Sequence, residues 1–143
     1  MRIYPDTLIP KSKRKSDINQ LLLAQWPYEN GRYIKGRGWQ GGFQEAVEMW
    51  IGGFNNWLIY HTKDSTGSKG GFPDLVCAHQ ITHTMLYAEL KIEKGSVSED
   101  QKKWLLTLAG NPTNHVYLWY PSDEDEIMTF LKAEQDKAIG YNR

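Results

Sequence analysis

Gly71-Phe72-Pro73-Asp74-Leu75-Val76-Cys77-Ala78 and, across a polar turn, Met85-Leu86-Tyr87-Ala88-Glu89-Leu90-Lys91 decide how this 143-residue chain is read. Each is a short apolar run bounded by turn-forming residues, which is the pattern of a strand. Asp74 opens the first strand behind Pro73, and Glu89 lies near the end of the second. Side chains alternate along a strand, so Glu89 and Lys91 share one face while Leu90 turns the other way into the core. If the two strands form a hairpin, Asp74 and Glu89 meet at its open end. The result is a pair of carboxylates with a lysine two residues on.

Outward from this pair the periodicity changes. Upstream, Phe43, Val47, Trp50, Ile51 and Phe54 recur at helical spacing and give one buried face, weakened at its end by Gly52 and Gly53. Residues 57–61 read as a strand, and residues 62–71 as a loop rich in Ser, Thr, Gly and Lys. Downstream, Ser98 and Gln101 have the spacing of a capping box. The helix they start carries Gln101, Trp104, Leu105 and Leu108 on one face and ends at Gly110. Residues 115–120 form a further strand. A last helix carries Ile127, Phe130 and Leu131, with the acidic residues 123–126 in its first turn, where the helix dipole favours them. The order helix, three strands, helix, strand, helix predicts an α/β fold: a mixed sheet of about four strands flanked by helices.

The N-terminal residues differ in character. The formal net charge is zero, yet residues 1–37 carry eight Lys/Arg against three Asp/Glu, and the remainder nine against fourteen. The chain therefore divides into a basic N-terminal arm, residues 1–38, and a domain over residues 39–143. Within the arm, Lys11, Lys13, Arg14 and Lys15 form a compact basic cluster suited to phosphate, or else a solvated arm. Asp17 is placed to cap a short helix through Leu21, Leu22 and Leu23 to Trp26, and Gly31, Gly36 and Gly38 mark loops. No apolar run approaches the roughly 20 residues that span a bilayer, and the first residues lack the apolar stretch of a secretory signal. A single cysteine, Cys77, excludes an internal disulfide and suits a reducing cytoplasm; its apolar strand makes it a core residue.

Phosphodiester hydrolysis suits the carboxylate pair. It needs a nucleophile, usually water, and neutralisation of charge growing on phosphate, and a divalent cation serves both needs. Hard Mg²⁺ or Mn²⁺ takes oxygen ligands, one or two carboxylates among them, and a nearby lysine can orient water or hold the phosphate. Each residue also has a plainer reading. Asp74 is a natural turn residue after proline, Glu89 and Lys91 could be a surface ion pair, and Gln101 could serve only the helix cap.

Taken together, Gly71-Phe72-Pro73-Asp74-Leu75-Val76, Ala88-Glu89-Leu90-Lys91, the Ser98 to Gln101 helix start with Trp104 and Leu108, and Val116-Tyr117-Leu118-Trp119-Tyr120-Pro121 resemble the VRR-NUC family of the PD-(D/E)XK nuclease superfamily. The resemblance covers about residues 40–131. It implies a restriction-endonuclease-like core and a metal-dependent DNA endonuclease. Asp74 and Glu89 would be metal ligands, joined by the Leu90 carbonyl, with Lys91 catalytic and Gln101 lining the site. The family's first helix usually supplies a further glutamate. A Phe43–Val47 register puts Gln40 at that place, Glu45 points away from the buried stripe, and Glu48 is the expected substitute ligand. His61, Lys63, Lys69 and Lys94 flank the site and are expected to contact nucleic acid. The resemblance also implies branched DNA such as a four-way junction as substrate, a homodimer, and the cytoplasm of a bacterial host if the protein is phage-encoded. Two other readings stay open: a nucleic-acid-binding module that kept the fold and lost turnover, and a phage protein-interaction factor.

Overall fold

In the computed structural model the described residues are 1–10, 32–34, 38–40, 42–62, 70–92 and 96–141, the backbone alone being described for 32–34 and 38–40. Alternation in the apolar runs builds the sheet. In Leu75–His79 (β4) the buried residues are Leu75, Cys77 and His79, and in Met85–Leu90 (β5) Leu86, Ala88 and Leu90 are buried on the same side. These strands pair antiparallel, with Leu75 opposite Ala88. Trp57–His61 (β3) adds antiparallel to β4, and Asn114–Trp119 (β6) adds parallel to β5, giving the order β3-β4-β5-β6. A parallel pair needs a crossover, and Glu99–Ala109 (α2) supplies it.

The two faces are covered by different helices. Phe43–Gly52 (α1) and Glu124–Tyr141 (α3) lie on one face, where Phe43, Val47, Ile51, Ile127, Phe130 and Leu131 pack against Leu75, Cys77, Leu86, Ala88, Leu90 and Trp119. On the other face Leu105 and Ala109 of α2 pack with Val97, Val116, Leu118 and Tyr120. Ile3 belongs to this second core and is buried. The Ile3 N–H donates to the Val116 carbonyl at 2.7 Å and the Leu118 N–H to the Met1 carbonyl at 3.0 Å, with Arg2 bridged to Tyr117. The first residues thus line the outer edge of β6 and shield its backbone groups.

Helix boundaries follow the sequence signals closely. Helix α1 stops at Gly52, short of Phe54, because Gly53 caps it by donating to the Met49 and Trp50 carbonyls. Ser98 and Gln101 form the expected reciprocal box: the Gln101 N–H donates to Ser98 Oγ at 3.1 Å and the Ser98 N–H to Gln101 Oε1 at 2.8 Å. Asp123 accepts from the Tyr120 N–H at 2.8 Å at the head of a 3₁₀ turn, Pro121–Asp123, that leads into α3. A small antiparallel pair, Arg32–Ile34 (β1) with Gly38–Gln40 (β2), falls where glycines suggested only loops. Strands of three residues are too short for alternation to register. The helix expected around Trp26 lies outside the described residues. Among the described residues no helix is long and apolar enough to cross a membrane.

Candidate active site

The hairpin register extends one step beyond Leu75 and Ala88 to set Asp74 across from Glu89. Three contacts fix Asp74 there. Its Oδ2 accepts the Leu90 N–H at 2.7 Å. From the end of β3, the Thr62 N–H donates to the Asp74 carbonyl at 2.8 Å and Thr62 Oγ1 to the Pro73 carbonyl at 2.7 Å. Burial pushes the Asp74 carboxyl above the usual aspartate range, opposed by the Leu90 N–H, by a hydrogen bond with Glu89 and by the charge of Lys91.

Glu89 is 1% exposed and Lys91 7%, on the sheet face that α2 covers. Lys91 Nζ stands 3.8 Å from Glu89 Oε1, and Gln101 Nε2 donates to the same oxygen at 3.2 Å. At an effective dielectric of 20 the gross Glu89–Lys91 attraction is about 4 kcal/mol. Taking two ions out of water costs several kcal/mol each, so the pair is not there chiefly for stability. A carboxylate pair, Glu89 buried and Asp74 half-buried, backed by a lysine and an amide is the kind of arrangement found where charge is put to chemical use.

Gln101 carries two roles through one amide, its oxygen closing the α2 cap and its nitrogen holding Glu89. The structure thus gathers Asp74, Glu89, Lys91 and Gln101 at one place, with Leu90 between. Glu48 sits elsewhere: its Oε1 is 3.4 Å from His61 Nδ1. His61 lies opposite Leu75, whose side chain faces the α1 side of the sheet. Among the described residues no group of three or more His, Cys, Asp and Glu converges as a metal cluster. Glu45 is exposed, and Gln40 ends β2. Lys11, Lys13, Arg14, Lys15, Lys63, Lys69 and Lys94 lie outside the described residues.

Thr62, which ties β3 to the Pro73-Asp74 corner, was not singled out from sequence. Nor were the rings beside the carboxylates. Phe72 meets Trp104 edge-to-face at 4.9 Å and Tyr87 at 6.4 Å. A period-two signal was available for Tyr87 alone, which stands two residues before Glu89 in β5, whereas Phe72 precedes β4. Trp104, read from helical spacing as part of the packed stripe, is 39% exposed, whereas Leu105 of the same stripe is buried, together with Ala109.

The family model described as the VRR-NUC domain matches residues 13–118, more than half of the chain, and spans Asp74, Glu89, Lys91 and Gln101. No curated protein and no solved structure matches the chain.

Proposed function

The chain belongs to the VRR-NUC domain family, a nuclease-type family, and from that premise we propose that it hydrolyses phosphodiester bonds in DNA at Asp74, Glu89 and Lys91, with Mg²⁺ or Mn²⁺ as cofactor. The observation that carries this reading is the carboxylate pair across the open end of β4 and β5, Glu89 buried and Asp74 half-buried, with Lys91 Nζ 3.8 Å from Glu89.

The donor set fits a hard divalent cation. Two carboxylates are in contact, burial disfavouring the charge of Asp74, and both are acceptor-only oxygen ligands when ionised. Leu90 gives its N–H to Asp74, and in an extended strand its carbonyl leaves on the same edge, so it can complete the set. A cation held there supplies positive charge opposite the phosphate oxygens and acidifies water. The chain's own groups do the rest. The Leu90 N–H fixes the rotamer of Asp74, and Gln101 that of Glu89. Lys91, on the same face as Glu89, offers ammonium donors to the attacking water or to a non-bridging phosphate oxygen. His61, Lys63, Lys69 and Lys94, with the basic cluster Lys11, Lys13, Arg14 and Lys15, are assigned to the phosphate backbone.

One site cuts one strand, so symmetrical cleavage of a branched DNA such as a four-way junction takes two copies, and a homodimer is the assembly assigned to it. A buried, reduced Cys77 suits action in the cytoplasm. A second reading draws on a specific observation, the engagement of Glu48 with His61 and not with Asp74 and Glu89. It is a DNA-binding module with the same fold and weak or no turnover.

Cleavage of labelled linear, flapped and four-way-junction DNA in Mg²⁺, Mn²⁺ or EDTA separates the two. The nuclease reading expects metal-dependent products that disappear in Asp74→Ala and Lys91→Ala. Junction binding without products in any metal would establish the binding module instead.

A further inference from the structure

The carboxylate site has an aromatic neighbour that the proposed hydrolysis does not use. Trp104 stands one helical turn beyond Gln101, whose amide holds Glu89. Its ring meets Phe72 at 4.9 Å and 89°, and Phe72 meets Tyr87 at 6.4 Å and 89°. Phe72 and Tyr87 are each two residues before a carboxylate. The three rings therefore form a ladder with Trp104 at its end, and Trp104 is tied to the carboxylate site through Gln101 of the same helix.

A T-shaped contact sets the edge of one ring against the face of the other, so Phe72 covers at most one face of Trp104. Trp104 is 39% exposed. A cleft of about 220 Å³ lined by Lys103, Trp104 and Thr107 opens on it, and another of about 260 Å³ is lined by Gly70, Asp100, Lys103 and Trp104. Lys103 borders both, and Asp100 borders the Gly70 side.

We propose that Trp104, with Lys103 beside it, is a stacking platform for an unpaired nucleobase on the strand that enters the carboxylate site. The inference rests on the nuclease reading above and gives it a substrate class. A base inside continuous duplex is stacked on both sides and has no face to offer. A base at a flap, a fork or a junction, or in a single strand, has one. Stacking on an aromatic ring tolerates any base, so the platform selects unpaired structure over sequence. Lys103 meets the backbone that carries the base.

An abasic scan tests it with two separate readouts. Labelled flapped DNA carries one abasic nucleotide, moved stepwise along the strand. Binding is followed by anisotropy in EDTA, and cleavage in Mn²⁺, for the wild type, Trp104→Phe and Trp104→Leu, with circular dichroism reporting the fold. In the wild type, one abasic position weakens binding on the order of tenfold, the effect of losing one base–aromatic stack. Trp104→Phe keeps that penalty in part, and Trp104→Leu erases it. An abasic penalty of equal size in Trp104→Leu, or none at any position in the wild type, overturns the platform while leaving cleavage to stand. Binding with a Trp104-dependent penalty but no cleavage in any metal overturns the nuclease reading and upholds the platform. No binding by the wild type overturns both.

Discussion

At Asp74, burial and charge pull in opposite directions. Burial holds its carboxyl above the usual aspartate value near 3.8, while the Leu90 N–H, Glu89 and Lys91 pull it back down. A carboxyl whose folded pKa is raised binds its proton more tightly in the folded state. It therefore favours folding at low pH, and that stability is lost as pH rises through the folded value. Ionised Asp74 consequently costs stability at neutral pH, as functional carboxylates often do. Asp74→Asn keeps an oxygen to accept the Leu90 N–H and removes the charge. Its melting temperature is expected to exceed that of the wild type at pH 7, with the difference closing as pH approaches the unfolded value near 3.8. Calorimetry at several pH values checks this, and a variant less stable at pH 7 would contradict it.

Among the elements, the Gly71 corner and the head of α2 are where site and scaffold share atoms. Gly71 has φ +100°, and a Cβ there would lie 2.7 Å from the Asp100 backbone. The corner that presents Pro73 and Asp74 can therefore sit against α2 only with glycine. Gly71→Ala is expected to lower the urea midpoint clearly, by a loss of about 1–3 kcal/mol for the strained backbone, together with cleavage. Gln101→Glu separates the two roles of Gln101. It keeps an acceptor for the Ser98 N–H but sets a second carboxylate against Glu89. Stability should change little from the cap itself, while single-turnover cleavage falls more than tenfold; an unchanged rate would remove Gln101 from the site.

The same elements show what was legible in sequence. Period-two alternation gave β4 and β5, and hence the meeting of Asp74 with Glu89, because side-chain direction in a hairpin follows from residue count. Ser98 and Gln101 announced α2 because capping is local chemistry. The Glu48–His61 pairing and the Thr62 hydroxyl hook were not legible, since both depend on how α1 and β3 lie against β4. The exposure of Trp104 escaped for a related reason. Helical spacing places it beside Leu105, and only the edge of the sheet beneath decides which of the two is covered.

For the molecule as a whole, the end of the β4–β5 hairpin remote from the site makes folding sensitive to acid. His79 is 2% exposed, and its Nδ1 accepts the N–H groups of Ile81 and Thr82, both at 3.2 Å. Its ring can do so only while that nitrogen carries no proton. Burial depresses His79, despite the charge of Glu134, and burial likewise depresses His115. A histidine depressed in the folded state contributes stability above its unfolded value near 6.5, lost as pH falls through the folded value. Nearby Glu134 acts in the same direction at lower pH. Burial alone would raise it, but hydrogen bonds from Thr84, Lys137 and Thr82 outweigh this and hold it below 4.5. Urea midpoints are thus expected to fall as pH drops below about 6.5. The slope should flatten in His79→Gln; an unaltered slope would mean that His79 is not the group titrating.

Cleavage and stability measured together on one pair of proteins test the function most directly. The wild type and Asp74→Asn are compared in single-turnover cleavage of flapped DNA with Mn²⁺ and with EDTA, and both are melted in the same buffer. The expected result is Mn²⁺-dependent cleavage in the wild type and loss of at least two orders of magnitude in Asp74→Asn, with a melting temperature that does not fall. Cleavage retained in a folded Asp74→Asn, or equal rates in Mn²⁺ and EDTA, would contradict a metal-dependent site at Asp74 and Glu89.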